Sequence, residues 1–317
     1  MSLEVKGCRE LQRDVLARNL CSLCGACVGM CPYLVAHKGR VVALQECDLS
    51  QGRCYAFCPR TPTDLDRVSD AVFGTPYDAG AIGTTREVLM ARATADAVRG
   101  NTQHGGTLSA LTSFALERGL IDSVILSDAG DMASGVLVRE PGRVVDFVRS
   151  KNVVAPVLSA FNRETKRGDI HAVAVVGLPC QVLALAKMRA SPLENRNNID
   201  KLKLTVGQFC RFIRRECIVC LDLTAEFSDI SVGSEGLIGW DILIVRSERG
   251  KELVGAARAA KVIEVEALPD QNLNHLKEAS RRKRKTALRN IGKASGSEDD
   301  LLYLILTAEA RRRLLTG

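Results

Sequence analysis

The sequence predicts an α+β (mixed α/β) protein with a small cysteine-rich N-terminal part, a larger α/β part and a helical C-terminal part. Two observations support this prediction. Short apolar runs alternate with helical patterns between about residues 84 and 270, which is typical of an α/β domain. The 12 cysteines are also unevenly placed, because eight of them lie in the first 58 residues and four lie between positions 180 and 220.

The composition excludes several classes of protein. A chain of 317 residues with 46% hydrophobic residues can bury a core, so it is not an intrinsically disordered protein. The N-terminal residues carry charges where a signal peptide has an apolar segment, and no apolar run is long enough to span a membrane. We therefore expect a cytoplasmic protein, whose reduced thiols bind metal rather than form disulfides.

The strongest motif is the run Cys21-x2-Cys24-x2-Cys27-x3-Cys31-Pro32. This is the spacing of bacterial ferredoxins, in which three cysteines bind one 4Fe-4S cube and the fourth binds the other cube of a two-cluster fold. A zinc knuckle is the weaker alternative, because zinc sites pair two distant CxxC units or include histidine. The N-terminal part is therefore predicted to be a ferredoxin-like 2×(4Fe-4S) domain.

A degenerate second copy follows as Cys47-x6-Cys54-x3-Cys58-Pro59. The crossing rule assigns Cys58 to the first cluster and leaves three ligands, Cys31, Cys47 and Cys54, for the second. Three alternatives remain for the missing ligand: Cys8 supplies it, a residue other than cysteine supplies it, or the second cluster is absent.

The rest of the chain divides by composition and periodicity. Residues 1–62 form the cysteine-rich domain, 63–83 a linker, 84–270 the α/β domain and 271–317 a basic helical extension. Helices are predicted for REVLMARATADAVRG (86–100), GGTLSALTSFALERG (105–119) and QVLALAKM (181–188). Strands are predicted for DSVILS (122–127), VLVRE (136–140), VVDFV (144–148), AVAVVG (172–177), LKLTVGQF (202–209) and DILIVRS (241–247).

The α/β part contains four further cysteines, Cys180, Cys210, Cys217 and Cys220. Cys180 lies between a predicted strand and a predicted helix, where the helix dipole favours a thiolate. The other three cysteines follow nearby strands, which favours a four-cysteine metal site over a catalytic nucleophile. The spacing alone does not distinguish a 4Fe-4S cluster from zinc.

From about Gly83 onwards the sequence resembles the beta subunits of coenzyme F420-reducing hydrogenases and related dehydrogenases. The resemblance rests on several segments in family order: QHGG (103–106), ERGLID (117–122), SKNVVAPV (150–157), GLPCQVLALAKM (177–188), VGQFC (206–210), CIVC (217–220) and SDISVGSEGLIGWDILIVRS (228–247). The N-terminal part resembles the ferredoxin-like module that is fused to some members of this family.

The resemblance implies an iron–sulfur flavoprotein that binds FAD and holds a 4Fe-4S cluster through Cys180, Cys210, Cys217 and Cys220. It implies hydride exchange between coenzyme F420 and FAD, and single-electron transfer through two or three 4Fe-4S clusters. The partners would be subunits of a hydrogenase, formate dehydrogenase or heterodisulfide reductase complex. The six-residue interval between Cys210 and Cys217 is shorter than in the hydrogenase subunits. The resemblance therefore supports FAD binding more strongly than it supports F420 binding.

The flavin contacts follow mainly from the resemblance, and His104 is the one catalytic candidate. On the residues alone, a glycine pair before a helix is more often a turn than a phosphate site, and Trp240 is more often core. No G-x-G-x-x-G occurs, so a Rossmann nicotinamide site has no support. The predicted cofactor-binding residues are Gln103, His104, Gly105, Gly106, Thr107, Ser109, Lys151, Asn152, Gln181, Gly233, Ser234 and Trp240.

Two other functions compete with the flavoenzyme. The chain could be an electron-relay subunit that carries clusters between larger subunits and has no soluble substrate. The basic run at 281–285 could bind nucleic acid, but aromatic residues make up only 4% of the chain and none interrupts the run. We expect this run to contact an acidic partner or a neighbouring domain, and we expect no nucleic-acid partner.

Overall fold

The computed structural model describes residues 5–94, 105–128, 130, 133–147, 154–193, 199–211, 214–297 and 300–316. Its centre is a mixed eight-stranded sheet, which confirms the predicted α/β class. The strands of this sheet are β4 (Glu87–Ala93), β5 (Ser123–Asp128), β6 (Ser134–Val138), β7 (Val173–Gly177), β8 (Leu202–Gln208), β9 (Ile230–Gly233), β10 (Asp241–Val245) and β11 (Ile263–Ala267).

The strands lie in the order β11-β4-β10-β9-β8-β7-β5-β6. Strands β5, β7, β8 and β9 run parallel to one another, and β6, β10, β4 and β11 add antiparallel pairs on either side. β7 is buried throughout its length, as expected for a central parallel strand covered on both faces. The carboxyl ends of β7, β8 and β9 therefore share one edge of the sheet.

Helices cover the sheet and link it to the cysteine-rich part. The helices are α1 (Cys8–Leu11), α2 (Arg53–Ala56), α3 (Leu65–Phe73), α4 (Thr107–Glu117), α5 (Val157–Glu164), α6 (Pro179–Ala190), α7 (Glu248–Ala259), α8 (Asp270–Ser295) and α9 (Ala308–Thr316). A π-helix (Gln12–Leu16) and two 3-10 helices (Pro141–Asp146 and Arg215–Val219) complete the helical elements of the described chain.

Two short sheets lie outside the large one. β1 (Leu34–His37) and β2 (Arg40–Ala43) form an antiparallel hairpin in the cysteine-rich part. β3 (Thr63–Asp64) pairs in parallel with β12 (Leu304–Ile305), so the end of the cysteine-rich part is tied to the C-terminal extension.

Two predicted elements are wrong. The segment 86–100 was expected to be a helix, but Glu87–Ala93 is a strand that pairs with both β10 and β11. Several of its residues have high helix propensity, but hydrogen bonding to a strand on each side outweighs this preference. The segment VVDFV was expected to be a strand, but the chain forms a 3-10 helix over Pro141–Asp146, with proline at its first position.

The segment expected to be a linker contains the helix Leu65–Phe73. The Asp64 carboxylate accepts a hydrogen bond from the Arg67 N–H at 3.1 Å, which caps the helix start. Gly74 ends the helix in the left-handed conformation with φ of 69°. The capping aspartate and the terminating glycine can both be read from the sequence. The sequence analysis missed this helix because the proline and glycine residues that follow it are typical of a linker.

The cysteine-rich part shares its core with the rest of the chain. Leu11, Val15 and Leu34 belong to the same buried cluster as Val182 of α6 and Ile291 of α8. In the described part of the chain, no helix is both long enough and apolar enough to cross a membrane. The longest helix, Asp270–Ser295, instead carries the basic run and packs against 215–219.

Candidate metal centres

The first cysteine group consists of Cys21, Cys24, Cys27 and Cys58, which line one pocket. Burial raises the pKa of Cys24 and Cys27 well above the ordinary value, and neighbouring thiolates of the same group raise it further. Burial also raises the pKa of Cys58 to about 11, although the Lys187 ammonium lowers it. The grouping is the one that the crossing rule of ferredoxins predicts.

The loop that carries these thiols docks on helix α5. Gly25 has φ of 87°, and a Cβ there would lie 2.6 Å from the carbonyl oxygen of Pro156. The Asn162 amide donates to the carbonyl oxygens of Ala26 at 2.9 Å and Val28 at 2.8 Å. Only glycine permits both the backbone conformation and the close approach at position 25.

The second cysteine group consists of Cys8, Cys31, Cys47 and Cys54. Burial raises the pKa of Cys54 to about 12, and the thiolates of Cys8, Cys31 and Cys47 raise it further. Burial likewise raises the pKa of Cys8, which the Gln12 side chain partly offsets and the Cys31 and Cys47 thiolates reinforce. Cys8, whose role the spacing left open, is therefore the fourth thiol of this group.

The third cysteine group consists of Cys180, Cys210, Cys217 and Cys220. Cys180 lies in the first turn of α6 after β7, and Cys210 follows β8, so both stand at the carboxyl edge of neighbouring parallel strands. Cys217 and Cys220 come from the 3-10 helix over Arg215–Val219 and the residue after it. The thiolates of Cys180, Cys217 and Cys220 all raise the pKa of Cys210, after the larger effect of burial.

The helix N-terminus does not lower the pKa of Cys180 below its ordinary value. Burial raises its pKa to about 12, with Cys220 adding to the effect and the Arg60 guanidinium opposing it. The expected effect of the helix N-terminus is thus smaller than the cost of taking a charged thiolate out of water. A metal centre that replaces the proton would remove this cost.

The three groups are contiguous in space. The Cys180 thiolate raises the pKa of Cys24, after the larger effect of burial, which joins the first group to the third. The buried Ser22 hydroxyl lies beside the Cys180 thiol and lowers its pKa, yet it has no other hydrogen-bond partner among the described residues. Cys54 acts in the same way on Cys27, so the second group adjoins the first. The first group therefore lies between the second group and the third.

No three Cys, His, Asp or Glu side chains in the described ranges converge tightly enough to hold a single metal ion. The four ligands of one zinc ion stand close together, whereas a cube takes its thiolates at four separate iron corners. Both kinds of centre need four thiolates, and each of the three groups contains four cysteines without a disulfide.

Buried cations accompany the first and third groups. The Lys187 ammonium donates to the Cys58 carbonyl oxygen at 2.7 Å and to the Thr61 and Thr63 hydroxyls at 2.9 Å each. Burial lowers its pKa to about 8, while the Cys58 and Cys24 thiolates oppose the change. Lys283 donates to the carbonyl oxygens of Cys210 and Asp222.

Arg60 connects the two groups. It lies two residues after Cys58, is buried, and donates to the Tyr303 hydroxyl, over whose ring the guanidinium stands at 4.8 Å. Tyr303 in turn donates to the Val219 carbonyl oxygen at 2.9 Å, between Cys217 and Cys220. The sequence analysis missed Arg60, Lys187 and Lys283. Single basic residues occur throughout helices and loops, and no sequence pattern distinguishes a buried basic side chain from an exposed one.

Several predicted flavin contacts lie along the same sheet edge as the third group. Gly233 ends β9, and Trp240 directly precedes β10, with the Arg92 guanidinium 4.4 Å from its ring. Ser234 follows Gly233 and accepts a backbone hydrogen bond from Leu237 at 2.8 Å. Four candidates, Gln103, His104, Lys151 and Asn152, lie outside the described residues.

Other groups of the protein already bond and pack against the N-terminus of helix α4. The buried Asp241 carboxylate, which the sequence analysis missed, accepts a hydrogen bond from the Thr107 N–H at 3.0 Å. Gly105 packs against strand β4, since a Cβ there would lie 2.9 Å from the Ala91 carbonyl oxygen, and Gly106 has φ of 74°. Both glycines therefore have a structural reason that is independent of a phosphate.

Two further candidates differ in what their side chains do. The Ser109 hydroxyl is fully buried and has no hydrogen-bond partner within the described part of the chain, so it is free to meet a ligand atom. Gln181, in contrast, accepts from the Leu178 N–H at 2.8 Å and donates to the Ala155 carbonyl oxygen at 2.8 Å. Its amide is engaged at both ends, which favours a structural role over the predicted flavin contact.

Known proteins share this sequence pattern and fold. The family model "Coenzyme F420 hydrogenase/dehydrogenase, beta subunit N-term" matches residues 88–162, and the corresponding C-terminal model matches 170–213 and 211–271. The beta subunit of coenzyme F420 hydrogenase from Methanococcus voltae is 24% identical over 244 residues, covering 59% of this chain and 86% of the relative.

A second relative reaches further. The coenzyme F420-dependent sulfite reductase of Methanocaldococcus jannaschii is 24% identical over 340 aligned positions, covering 86% of this chain and 52% of its own length. Because residues 63–317 make up about 80% of the chain, an alignment that covers 86% of it extends into the cysteine-rich part.

A solved structure shows the same fold. A chain of the F420-reducing [NiFe] hydrogenase complex from Methanosarcina barkeri superposes with a TM-score of 0.63 at 21% identity, covering 67% of this chain and 93% of that chain. The family models together match more than half of the sequence. The chain therefore belongs to the coenzyme F420 hydrogenase/dehydrogenase beta subunit family.

Proposed function

We propose that the chain is an iron–sulfur flavoprotein subunit of a cytoplasmic redox complex. It exchanges a hydride between a soluble carrier, coenzyme F420 or a functional substitute, and FAD. Single electrons then pass through 4Fe-4S clusters to or from a partner subunit of the hydrogenase, formate dehydrogenase or heterodisulfide reductase type. The cysteine-rich part, 1–62, is the fused ferredoxin-like module, and 84–270 holds the flavin.

The observation that carries this proposal is the continuous line of three four-thiol groups that ends at the carboxyl edge of the parallel strands. Ligands of α/β sheets bind outside this edge. Gly233 and Trp240 lie at the ends of β9 and β10, and Cys210 follows β8. Since neighbouring strands lie about 4.8 Å apart, β10 and β8 are roughly 10 Å apart, so a flavin here would be next to the third group.

The side chains of this protein would determine where the clusters and the flavin are bound. Each group would hold one cube through four thiolates, and Ser109 and Trp240 would contact the flavin from the sheet edge. When bound, FAD would accept the two electrons of a hydride and release them one at a time, and each cube would carry one. The loop at Gly25, anchored by Asn162, would fix the first group against the third.

The competing function is an electron-relay subunit without flavin. Gln181 and the Gly105–Gly106 turn favour it to a limited extent, because protein contacts already account for these candidates. Flavin content distinguishes the two functions. A relay would contain the clusters alone, and no soluble hydride donor would reduce it.

The test is to purify the protein without oxygen and to measure iron, sulfide and flavin per chain. We expect about twelve irons, four for each group, and one FAD. Reduced F420, NADH, NADPH and reduced ferredoxin are then offered separately, and bleaching of the flavin band identifies the donor. About eight irons would exclude the second cluster, and absence of FAD would contradict the flavoenzyme.

The third group has a direct test. Cys180→Ser should lower the iron content by about four per chain and stop electron transfer from flavin to an acceptor protein, with flavin reduction itself retained. The matched control is Ser22→Ala, which alters the neighbouring side chain but removes no ligand. Unchanged iron content in Cys180→Ser would contradict the assignment of this group.

A further inference from the structure

An exposed apolar residue lies directly beside the third cysteine group. Ile218 belongs to the 3-10 helix between Cys217 and Cys220, and it is 40% exposed although the residues on both sides of it are buried. Three elements that meet at this point carry exposed basic side chains: the β1–β2 hairpin, the 3-10 helix and α8. We use the term basic face for Ile218 together with the five cations Lys38, Arg40, Arg215, Arg282 and Arg289.

Two hydrogen bonds bring these elements together around Ile218. The Arg214 guanidinium donates to the Gly39 carbonyl oxygen at 3.0 Å, which joins the tip of the hairpin to the start of the 3-10 helix. The Asn290 amide donates to the Ile218 carbonyl oxygen at 3.1 Å, which joins α8 to the same 3-10 helix. The five cations therefore belong to one continuous surface.

The helical geometry of α8 places two of its arginines on the outer side of this contact. With 3.6 residues per turn, Arg282 and Arg289 both lie within roughly 100° of Asn290 around the helix axis, on the same side of it. Both side chains are exposed, whereas Asn290 faces the 3-10 helix. Arg282 and Arg289 thus lie at the solvent edge of the groove between α8 and the 3-10 helix.

The charge of the basic face is not balanced by the described residues around it. Among those residues, none forms a hydrogen bond or ion pair with the side chains of its five cations. The segments 36–40, 214–220 and 281–290 contain a single acidic residue, Glu216, which pairs with Arg214 at 3.3 Å. An uncompensated cluster of exposed positive charge creates a potential that attracts an anionic partner.

The exposed isoleucine favours a protein partner over a nucleic acid. Protein interfaces combine an apolar centre with a polar rim and are enriched in arginine. A phosphate backbone, in contrast, is bound through its charge and leaves an apolar centre unused. Ile218 follows Cys217 directly and precedes Cys220 by two residues, so a protein that covers it comes close to the third group.

We propose that the basic face binds an acidic one-electron carrier protein, whose carboxylates surround its own redox centre, and that this carrier exchanges electrons with the third cluster beside Ile218. The inference rests on the proposed function, because it requires that cluster. When the reduced carrier gives one electron to the cluster, the carrier is oxidised, the cluster is reduced, and no bond forms or breaks. Opposite charges accelerate the encounter of the two proteins, and salt screens their attraction.

The experiment uses an acidic [2Fe–2S] ferredoxin of the plant type as the probe, because its potential of about −400 mV makes it an electron donor. The reduced ferredoxin is mixed anaerobically with the oxidised protein by stopped flow. We expect the second-order rate constant to fall by about tenfold between roughly 0.02 and 0.5 M salt. Arg282→Glu combined with Arg289→Glu should lower the low-salt rate constant by about tenfold and remove most of its salt dependence.

The matched control is Lys251→Glu combined with Arg258→Glu. It changes the net charge by the same amount at two exposed positions of α7, a helix that packs against α4. Its rate constant should stay within about threefold of the wild type, because distant exposed charges are screened. Ile218→Ser should slow the transfer and keep the salt dependence, since it removes no charge. Iron content and the EPR spectrum of the reduced protein should be the same in all variants.

The outcomes separate this inference from the proposed function. A rate constant that does not respond to salt, or that falls equally in the α7 control and in the Arg282/Arg289 variant, would overturn the inference while the clusters remain. So would binding of duplex DNA that the Arg282/Arg289 variant loses while its electron transfer is unchanged. Wild-type protein that contains no iron would contradict the proposed function itself.

Discussion

The cysteine-rich part and the eight-stranded sheet reach their folded forms by different means. In the first 62 residues the helices α1 and α2 and the strands β1 and β2 have four residues each. Six of the eight cysteines there are buried, and Cys21 and Cys31 are half-buried. The sheet, in contrast, has fully apolar buried strands such as β7 and a continuous core. A two-stranded hairpin and single helical turns are marginal alone, so we expect the first part to depend on bound metal more than the second does.

The largest effect should come from removal of iron, which would separate the two regions. We expect the metal-free chain to lose hydrogen-exchange protection across residues 5–62 while β7 and β8 keep theirs, because apolar burial holds the sheet. Exchange measured by mass spectrometry before and after anaerobic chelation checks this. Equal loss of protection in both regions would show that the two fold as one unit.

A medium effect is expected where the two regions meet. Asn162→Ala removes the amide that bonds the carbonyl oxygens of Ala26 and Val28, and we expect a loss of about 1–3 kcal/mol in docking of this loop. The readout is faster exchange at 24–29 and faster loss of iron to a chelator. Arg163→Ala, an exposed neighbour on the same helix, serves as the control and should change neither rate.

The smallest effect concerns the sheet alone and depends on pH. Burial would raise the pKa of Asp122, but hydrogen bonds from Ser123 and the His171 and Ala172 N–H groups outweigh it and lower the pKa. A lowered pKa in the folded state stabilises the fold above the ordinary value of 3.8, and this contribution is lost as pH falls through the folded value.

Asp122→Asn should therefore cost about 0.5–1.5 kcal/mol in unfolding free energy at pH 7, and the cost should shrink as pH falls below 3.8. Urea unfolding of the metal-free protein at pH 7 and at a series of lower pH values measures the difference, and a cost that does not change with pH would contradict the assigned hydrogen bonds. Asp128→Asn, at the half-buried end of the same strand, provides the comparison.

The sequence was sufficient for the features that depend on local chemistry. Ferredoxin spacing predicted that Cys58 would lie near Cys21, and the two residues line one pocket. Short apolar runs predicted β5, β7, β8 and β10. It was insufficient where tertiary partners decide the outcome. Strand β4 carries helix-forming residues and becomes a strand because β10 and β11 bond both of its edges.

The site shows the same division. The grouping of Cys8 with Cys31, Cys47 and Cys54 was one of three alternatives, because no spacing rule covers a ligand so far upstream. The basic run at 281–285 was expected to contact a partner or a neighbouring domain. Lys283 and Arg284 bond residues of the neighbouring α/β part, among them Cys210 and Glu226, and Arg281, Arg282 and Lys285 stay exposed. Helical periodicity distinguishes the buried from the exposed basic residues only when the face of α8 that packs against the protein is known.

The pairing of β3 with β12 bears on how the protein is made. Thr63 bonds the backbone of Tyr303, and Tyr303 closes over Arg60, so residues near the end of the chain cover those near its beginning. During synthesis the first cysteines leave the ribosome long before Tyr303 does. The contact of Tyr303 with Arg60 and the pairing of β3 with β12 can therefore form only after the chain has been made as far as β12.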